Sequence, residues 1–136
     1  MDPTIRTYDP QKCQIILGTS PVSGFADGSF VTVEQDGESF VDKAGADGEV
    51  ARARKADRRG TMKLTLLATS IFNVIMTALH AVETPFPVLI KEGGTTVFST
   101  KGWVQKPAAF ERGAEISDAE WTVRLARVEF IHGGNP

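Results

Sequence analysis

One stretch, Gly60 to Val82 (GTMKLTLLATSIFNVIMTALHAV), constrains the fold more than any other. Thr61 to Leu66 alternates, placing Met62, Leu64 and Leu66 on one face and Thr61, Lys63 and Thr65 on the other, as a half-buried strand requires. Thr69 or Ser70 then offers a side-chain oxygen to the first free N–H groups of a helix beginning near Ile71. Ile71, Ile75, Leu79 and Val82 recur at spacings of four, four and three, flanked by Phe72 and Met76, so the expected helix spans about 70–82 with one broad apolar face. Pro85 and Pro87 end it. A helix of about a dozen residues covers roughly 18 Å. It can plug one open end of a small sheet, but strands must supply the rest of the core.

Strands are what the flanking sequence offers. Thirteen glycines and seven prolines fall mostly between apolar runs, the punctuation of a β-rich chain. Lys12 to Gly18 is a first strand around Ile15, Ile16 and Leu17, and Ser29 to Gln35 a second. Asp36-Gly37 predicts a hairpin joining the second to Ser39 to Lys43. Glu49 to Arg54 alternates Val50, Arg52 and Arg54 against Ala51 and Ala53. After the helix, Pro87 to Lys91 and Thr95 to Gln105 form another hairpin, with Val97 and Trp103 on one face and Phe98 and Val104 on the other. Glu120 to His132 is a last long strand whose alternation changes phase: Trp121, Val123 and Leu125 share one face, Ala126, Val128 and Phe130 the other. That slip calls for a bulge, or for a strand serving two surfaces. The expected fold is mainly β: a single sandwich or barrel domain over residues 1–136, with seven or eight strands and one helix. Its unpaired sheet edges require a partner.

Charge is distributed unevenly although the net value is only −2. Asp27 to Glu49 holds seven acids against Lys43, and Arg52 to Arg59 holds five bases (Arg52, Arg54, Lys55, Arg58, Arg59) against Asp57. Residues 42–60 therefore read as a protruding charged arm. Five cations in eight residues can neutralise phosphates, but the run has no aromatic residue for base stacking. Acidic and basic blocks side by side equally suit a directional contact between copies.

Little in the chain points to catalysis. His80 and His132 have no partner at metal-ligand spacing, and Cys13 is the single cysteine, which excludes an internal disulfide. Glu111 with Glu115, or Asp118 with Glu120, are loop carboxylates without an accompanying nucleophile. The glycines form no phosphate-binding pattern. MDPTIRTYDP has the character of neither a signal peptide nor an anchor, and no apolar run approaches the roughly 20 residues of a membrane span. Neither an enzyme nor a cofactor is expected.

Over most of its length the chain resembles the tail tube proteins of contractile-tailed bacteriophages. The residues that carry the resemblance are Tyr8-Asp9-Pro10, Gly24-Phe25-Ala26-Asp27-Gly28, Gly45-Ala46-Asp47-Gly48-Glu49-Val50, the Arg-rich loop, Gly60-Thr61, Leu64-Thr65-Leu66-Leu67, Thr69-Ser70, Asn73, Trp103-Val104 and Glu120-Trp121. Glu92-Gly93-Gly94 and Ala68 depart from the pattern, which bears on local turns only. Such proteins are similar to the tubes of type VI secretion systems and phage-tail-like bacteriocins. The resemblance implies hexameric rings in which strands from each subunit complete a continuous barrel, stacked into a tube inside a sheath. The implied partners are further copies, the tail sheath, baseplate and tail-terminator proteins, and phage DNA transiently in the lumen. The implied location is the virion, after assembly in the host cytoplasm. Arg52, Arg54, Lys55, Asp57, Arg58 and Arg59 are then the expected ring-stacking residues. Thr32, Glu34 and Glu38 are candidates for a polar lumen wall that does not grip DNA. Two alternatives remain open: the tube of a related injection particle without DNA, and a small nucleic-acid-binding β-domain using the Arg-rich loop.

Overall fold

The computed structural model describes residues 12–22, 30–82 and 84–133. It is mainly β, with ten strands and one helix among these residues. Strands β1 (Gln14–Leu17), β2 (Ser20–Val22), β3 (Val31–Gln35), β6 (Gly60–Leu67), β7 (Phe86–Glu92), β8 (Thr95–Lys106) and β9 (Asp118–Leu125) form one antiparallel sheet in the order β2-β1-β7-β8-β9-β6-β3. Strand β10 (Glu129–Ile131) also pairs with β8. Strands β4 (Phe40–Ala44) and β5 (Val50–Arg54) make a separate two-stranded ribbon. Among the described residues, no helix is long and apolar enough to cross a membrane.

Strand β6 follows its alternation: Met62, Leu64 and Leu66 are all 0% exposed. They join Ile15, Leu17, Val88, Ile90, Val97, Val104, Trp121, Val123 and Leu125 in one core cluster. Both ends of the sheet contribute to that cluster, so the sheet must fold over on itself. Strand β8 is where it turns. Val97 and Ser99 point inward from its first half, Gly102 and Val104 from its second, and the pairing with β7 shifts between Phe86 and Val88. Val97 and Trp103 therefore do not share a face as alternation suggested. Val97 and Val104 are both in the core, while Trp103 points out, 41% exposed.

The phase slip after Leu125 has a related cause. The expected single strand over 120–132 is two strands, interrupted at 126–128. Ala126 still donates to the Lys101 carbonyl at 2.9 Å, but Val128 swings away to donate to Arg58 at 3.0 Å. This break lets residues of both parities, Leu125 (1% exposed) and Val128 (4%), enter the same core. It is a bend within the core of the single chain.

Helix α1 (Phe72–Ala81) caps the core with only part of the broad apolar face its spacing suggested. Met76 is fully buried, and Phe72 and Leu79 pack beside it, whereas Ile71 (78%) and Val82 (51%) lie exposed at the two ends. Asn73 sets the rotation. Its Nδ2 donates to the carbonyls of Leu67 (3.0 Å) and Ser70 (3.0 Å), and its Oδ1 accepts from Trp121 Nε1 at 3.0 Å. Ser70 does receive the Phe72 N–H on its Oγ, at 3.2 Å.

Asp36-Gly37 does not close a hairpin between β3 and β4. Strand β3 pairs with β6, which places Val31 and Val33 beside Leu64 and Met62, and β4 pairs with β5 through a turn at 45–48. Apolar burial outweighs the local turn preference, because Val31 and Val33 need core neighbours that the exposed β4 lacks.

Candidate assembly interface

The arm begins earlier and ends earlier than residues 42–60. It is the β4–β5 ribbon, Phe40 to Arg54, exposed along its whole length, while Gly60 is a buried part of β6. At its tip Gly45 donates to the Glu49 carbonyl at 2.6 Å, and Gly48 adopts φ +89°, a left-handed conformation that suits glycine. At its root Lys55 N–H donates to the Ser39 carbonyl (2.9 Å) and Asp36 N–H to the Arg59 carbonyl (3.0 Å). Arg58 braces the root, reaching Ser39 Oγ at 3.1 Å and the Lys55 carbonyl at 3.1 Å.

Cross-strand register gives the ribbon two faces. Phe40, Asp42, Ala44, Val50, Arg52 and Arg54 lie on one, and Val41, Lys43, Ala51 and Ala53 on the other. The guanidinium of Arg52 stands 4.5 Å from the centre of the Phe40 ring, and those of Arg54 and Arg58 stand 5.9 Å away. A cation over an aromatic face is held by the ring quadrupole. Three guanidinium groups are thus gathered on one exposed ring, a ready-made contact for carboxylates. The expected stacking residues do not form one continuous patch. Arg52, Arg54 and Arg58 converge on Phe40, and Lys55 lends its backbone to the root. Arg59 turns to Asp57 at 3.0 Å and holds that carboxyl below the usual aspartate range. Phe40 escaped the sequence reading because its role depends on cross-strand register.

Thr32 and Glu34 are exposed on the outer face of β3, and Glu38 is exposed in the segment leading to the arm. Across the sheet Thr32 neighbours Lys63, and Glu34 neighbours Thr61, which neighbours Arg124. Glu120 lies on the same outer face beside Thr65. This surface is polar with both signs of charge, not acidic. Asp36 anchors it: its carboxylate accepts from Arg124 Nη2 at 2.6 Å and from Thr61 Oγ1 at 2.8 Å, and Arg124 also donates to Thr61 Oγ1. Arg124 and Asp36 lie 88 residues apart, and no local pattern marks them as partners.

The two ends of the sheet are the remaining surfaces. Among the described residues, neither β2 nor β3 has a strand on its outer side. Pro21 in β2 supplies no N–H, which limits that edge as a donor.

An apolar pocket of about 180 Å³, open on one side, lies between β3 and strands β7, β8 and β10, lined by Val31, Val33, Ile90, Val97 and Phe130. Cys13, Glu92 and His132 also line it. Burial pushes the Cys13 thiol up, and the Glu92 carboxylate adds to the shift. That is the reverse of what activates a cysteine nucleophile. His132 stacks on Phe130 at 5.7 Å.

No protein-family model matches the chain. "Structural protein ORF10" of Pseudomonas phage KPP10 is 26% identical to it over 147 aligned positions, covering 95% of this chain and 83% of that protein. Among solved structures, the tube-terminating cap of the anti-feeding prophage superposes with a TM-score of 0.63 at 12% identity, covering 98% of this chain and 97% of that one. The chain shares its fold with components of contractile injection systems. A chain from the sheath/tube terminator of the extracellular contractile injection system PVC, in its extended state, gives 0.61 at 12% identity, covering 96% and 100%. One from the PVC sheath-tube complex gives 0.61 at 10%, covering 92% and 91%.

Proposed function

We propose that the protein is a structural component of a contractile phage tail, and specifically the subunit of its inner tube. The observation that carries this reading is the open sheet. Eight strands enclose a core, yet β2 and β3 leave their outer sides unpaired among the described residues. Edges left open are an aggregation hazard unless copies pair them, and a closed ring removes the hazard for every member. Six copies, the number the tail-tube resemblance implies, would close such a ring. The polar outer face of β3, β6 and β9, with Thr32, Glu34, Lys63 and Arg124, suits a wall that lets DNA pass without binding it. A strongly cationic wall would hold phosphate through many weak contacts. The arm, with Arg52 and Arg54 gathered at Phe40, projects to the next ring. Its counterparts are acids there, so that opposite charges give the stack its polarity. The sheath outside the tube, baseplate and terminator proteins at its ends, and DNA in its lumen complete the set of partners in the virion. The role is mechanical, with no reaction to catalyse.

A second reading is favoured by two of the structural relatives, which are a tube-terminating cap and a sheath/tube terminator. A terminator stacks on one face only. Negative-stain microscopy of the purified full chain distinguishes the two. Tubes of many rings support the tube subunit, and single rings that never lengthen support the terminator. A chain that stays monomeric at every concentration and binds DNA in a salt-dependent way overturns both.

A further inference from the structure

Ala68 to Val82 contains no Asp, Glu, Lys or Arg. Only one side of α1 serves the subunit's own core. On the other side Ile71 (78% exposed), Val74 (72%), Ala78 and Val82 (51%) recur at spacings of three, four and four, a second apolar stripe open to solvent. Before the helix, Ala68 N–H donates to the Ser117 carbonyl at 2.8 Å, and the residue preceding Ser117, Ile116, is also exposed, at 69%. A helix apolar on both sides is characteristic of one buried on both sides, and an uncharged apolar stripe on a surface marks a contact site.

The arm presents a surface that fits it. The face opposite the Phe40 cluster consists of Val41, Ala51 and Ala53 with Lys43. Alanines at two of these positions let another element approach closely, while the large side chains sit on the helix. Each arm strand of five residues is about 17 Å long, and the helical stripe from Ile71 to Val82 also spans about 17 Å. A two-stranded ribbon alone is marginal in water, so the arm needs a support that its own subunit does not provide. The two surfaces also leave the molecule at opposite ends. The arm departs where Gln35 pairs with Gly60, and the helix begins beyond Leu67 at the far end of β6, about 24 Å along that strand.

We propose that the Val41–Ala51–Ala53 face of one copy's arm lies along the Ile71–Val74–Ala78–Val82 stripe of the next copy. This rests on the self-assembly proposed above and names the surface that receives the arm. The contact is heterologous, a patch meeting a different patch, so each added copy presents a fresh helix or a fresh arm. It leaves Phe40, Arg52 and Arg54 facing away from the helix and free to meet acids, so the arm is gripped on two sides.

Disulfide trapping in the full chain tests it. With Cys13→Ser as background, Ala53→Cys and Val74→Cys are combined in one chain, both at exposed positions. Oxidised assemblies are expected to run as a ladder of three or more linked chains on a non-reducing gel, while each single variant stops at dimers. Val74→Asp should leave the circular dichroism spectrum unchanged and raise the concentration at which assemblies form by about tenfold or more. Rings or tubes in micrographs without a ladder, or an unchanged assembly concentration for Val74→Asp, overturn the arm-on-helix contact and leave self-assembly standing. Neither assemblies nor a ladder, from the parent or the double variant, overturns both.

Discussion

Gly60 opens β6 at the point where three elements crowd together. A Cβ there would stand 2.7 Å from Cγ1 of Val128, 2.9 Å from its Cβ and 3.0 Å from the Glu34 carbonyl. None of these atoms is the end of a long flexible chain, so the backbone itself would have to move. Gly60→Ala is expected to lower the unfolding free energy by about 1–3 kcal/mol, read from the midpoint of urea unfolding. The double variant with Val128→Ala should be less unstable than the sum of the single losses, because the two positions share one contact. Additive losses would mean that the glycine serves something other than close packing against Val128.

At the scale of elements, the junction from β6 to α1 depends on one side chain. Asn73 satisfies carbonyls at the end of the strand and the start of the helix, and fixes the indole N–H of a core tryptophan. Removing it leaves Trp121 Nε1 without that acceptor in a residue only 5% exposed. An unsatisfied buried donor costs about 1–3 kcal/mol. Asn73→Ala is therefore expected to lose at least that much stability, with a change in Trp121 fluorescence before global unfolding. Asn73→Asp keeps the acceptor for Trp121 but loses the donor to the carbonyls, and should fall between the two. The arm behaves differently as an element. Its ribbon contributes none of the residues in the core cluster, so substitutions along it should change assembly more than folding.

For the whole molecule, the proposed tube predicts two interactions with different salt responses. Ring closure through β2 and β3 relies on backbone pairing and burial, and stacking through the arm relies partly on exposed charge. Salt screens exposed charges beyond about 8–10 Å, so high salt should shorten tubes before it breaks rings. Arg58→Glu with Arg59→Glu should likewise shorten tubes while rings survive, measured as tube length by microscopy beside ring integrity by sedimentation. Arg58 also braces the arm root at Ser39, so Arg52→Glu with Arg54→Glu separates charge from anchoring more cleanly. A single exposed pair is worth roughly 0–1 kcal/mol, and repetition around a ring multiplies it. Full-length tubes from both reversals at low salt would remove charge from the stacking mechanism.

The sequence by itself determined the β-rich class, the inward face of β6, the helix after it and the exposed, charged character of the arm. Each is a local property: a period of two or of 3.6, a proline stop, a run of like charges. The tertiary structure alone decided which strands pair, how much of the apolar face of α1 is buried and how the basic run divides. Asp36-Gly37 has the composition of a hairpin turn, but Val31 and Val33 gain more by lying beside Met62 and Leu64 than beside the exposed β4. Ile71 and Val82 fit an apolar stripe as well as Met76 does, and the hydrogen bonds of Asn73, one of them from Trp121 48 residues away, help to set which of them face the core. Five cations in one run look equivalent in sequence. Cross-strand register sends Arg52 and Arg54 to Phe40, while Asp57 holds Arg59 and Ser39 takes Arg58. Such choices compare contacts between distant segments, and their energies exist only once those segments have been brought together.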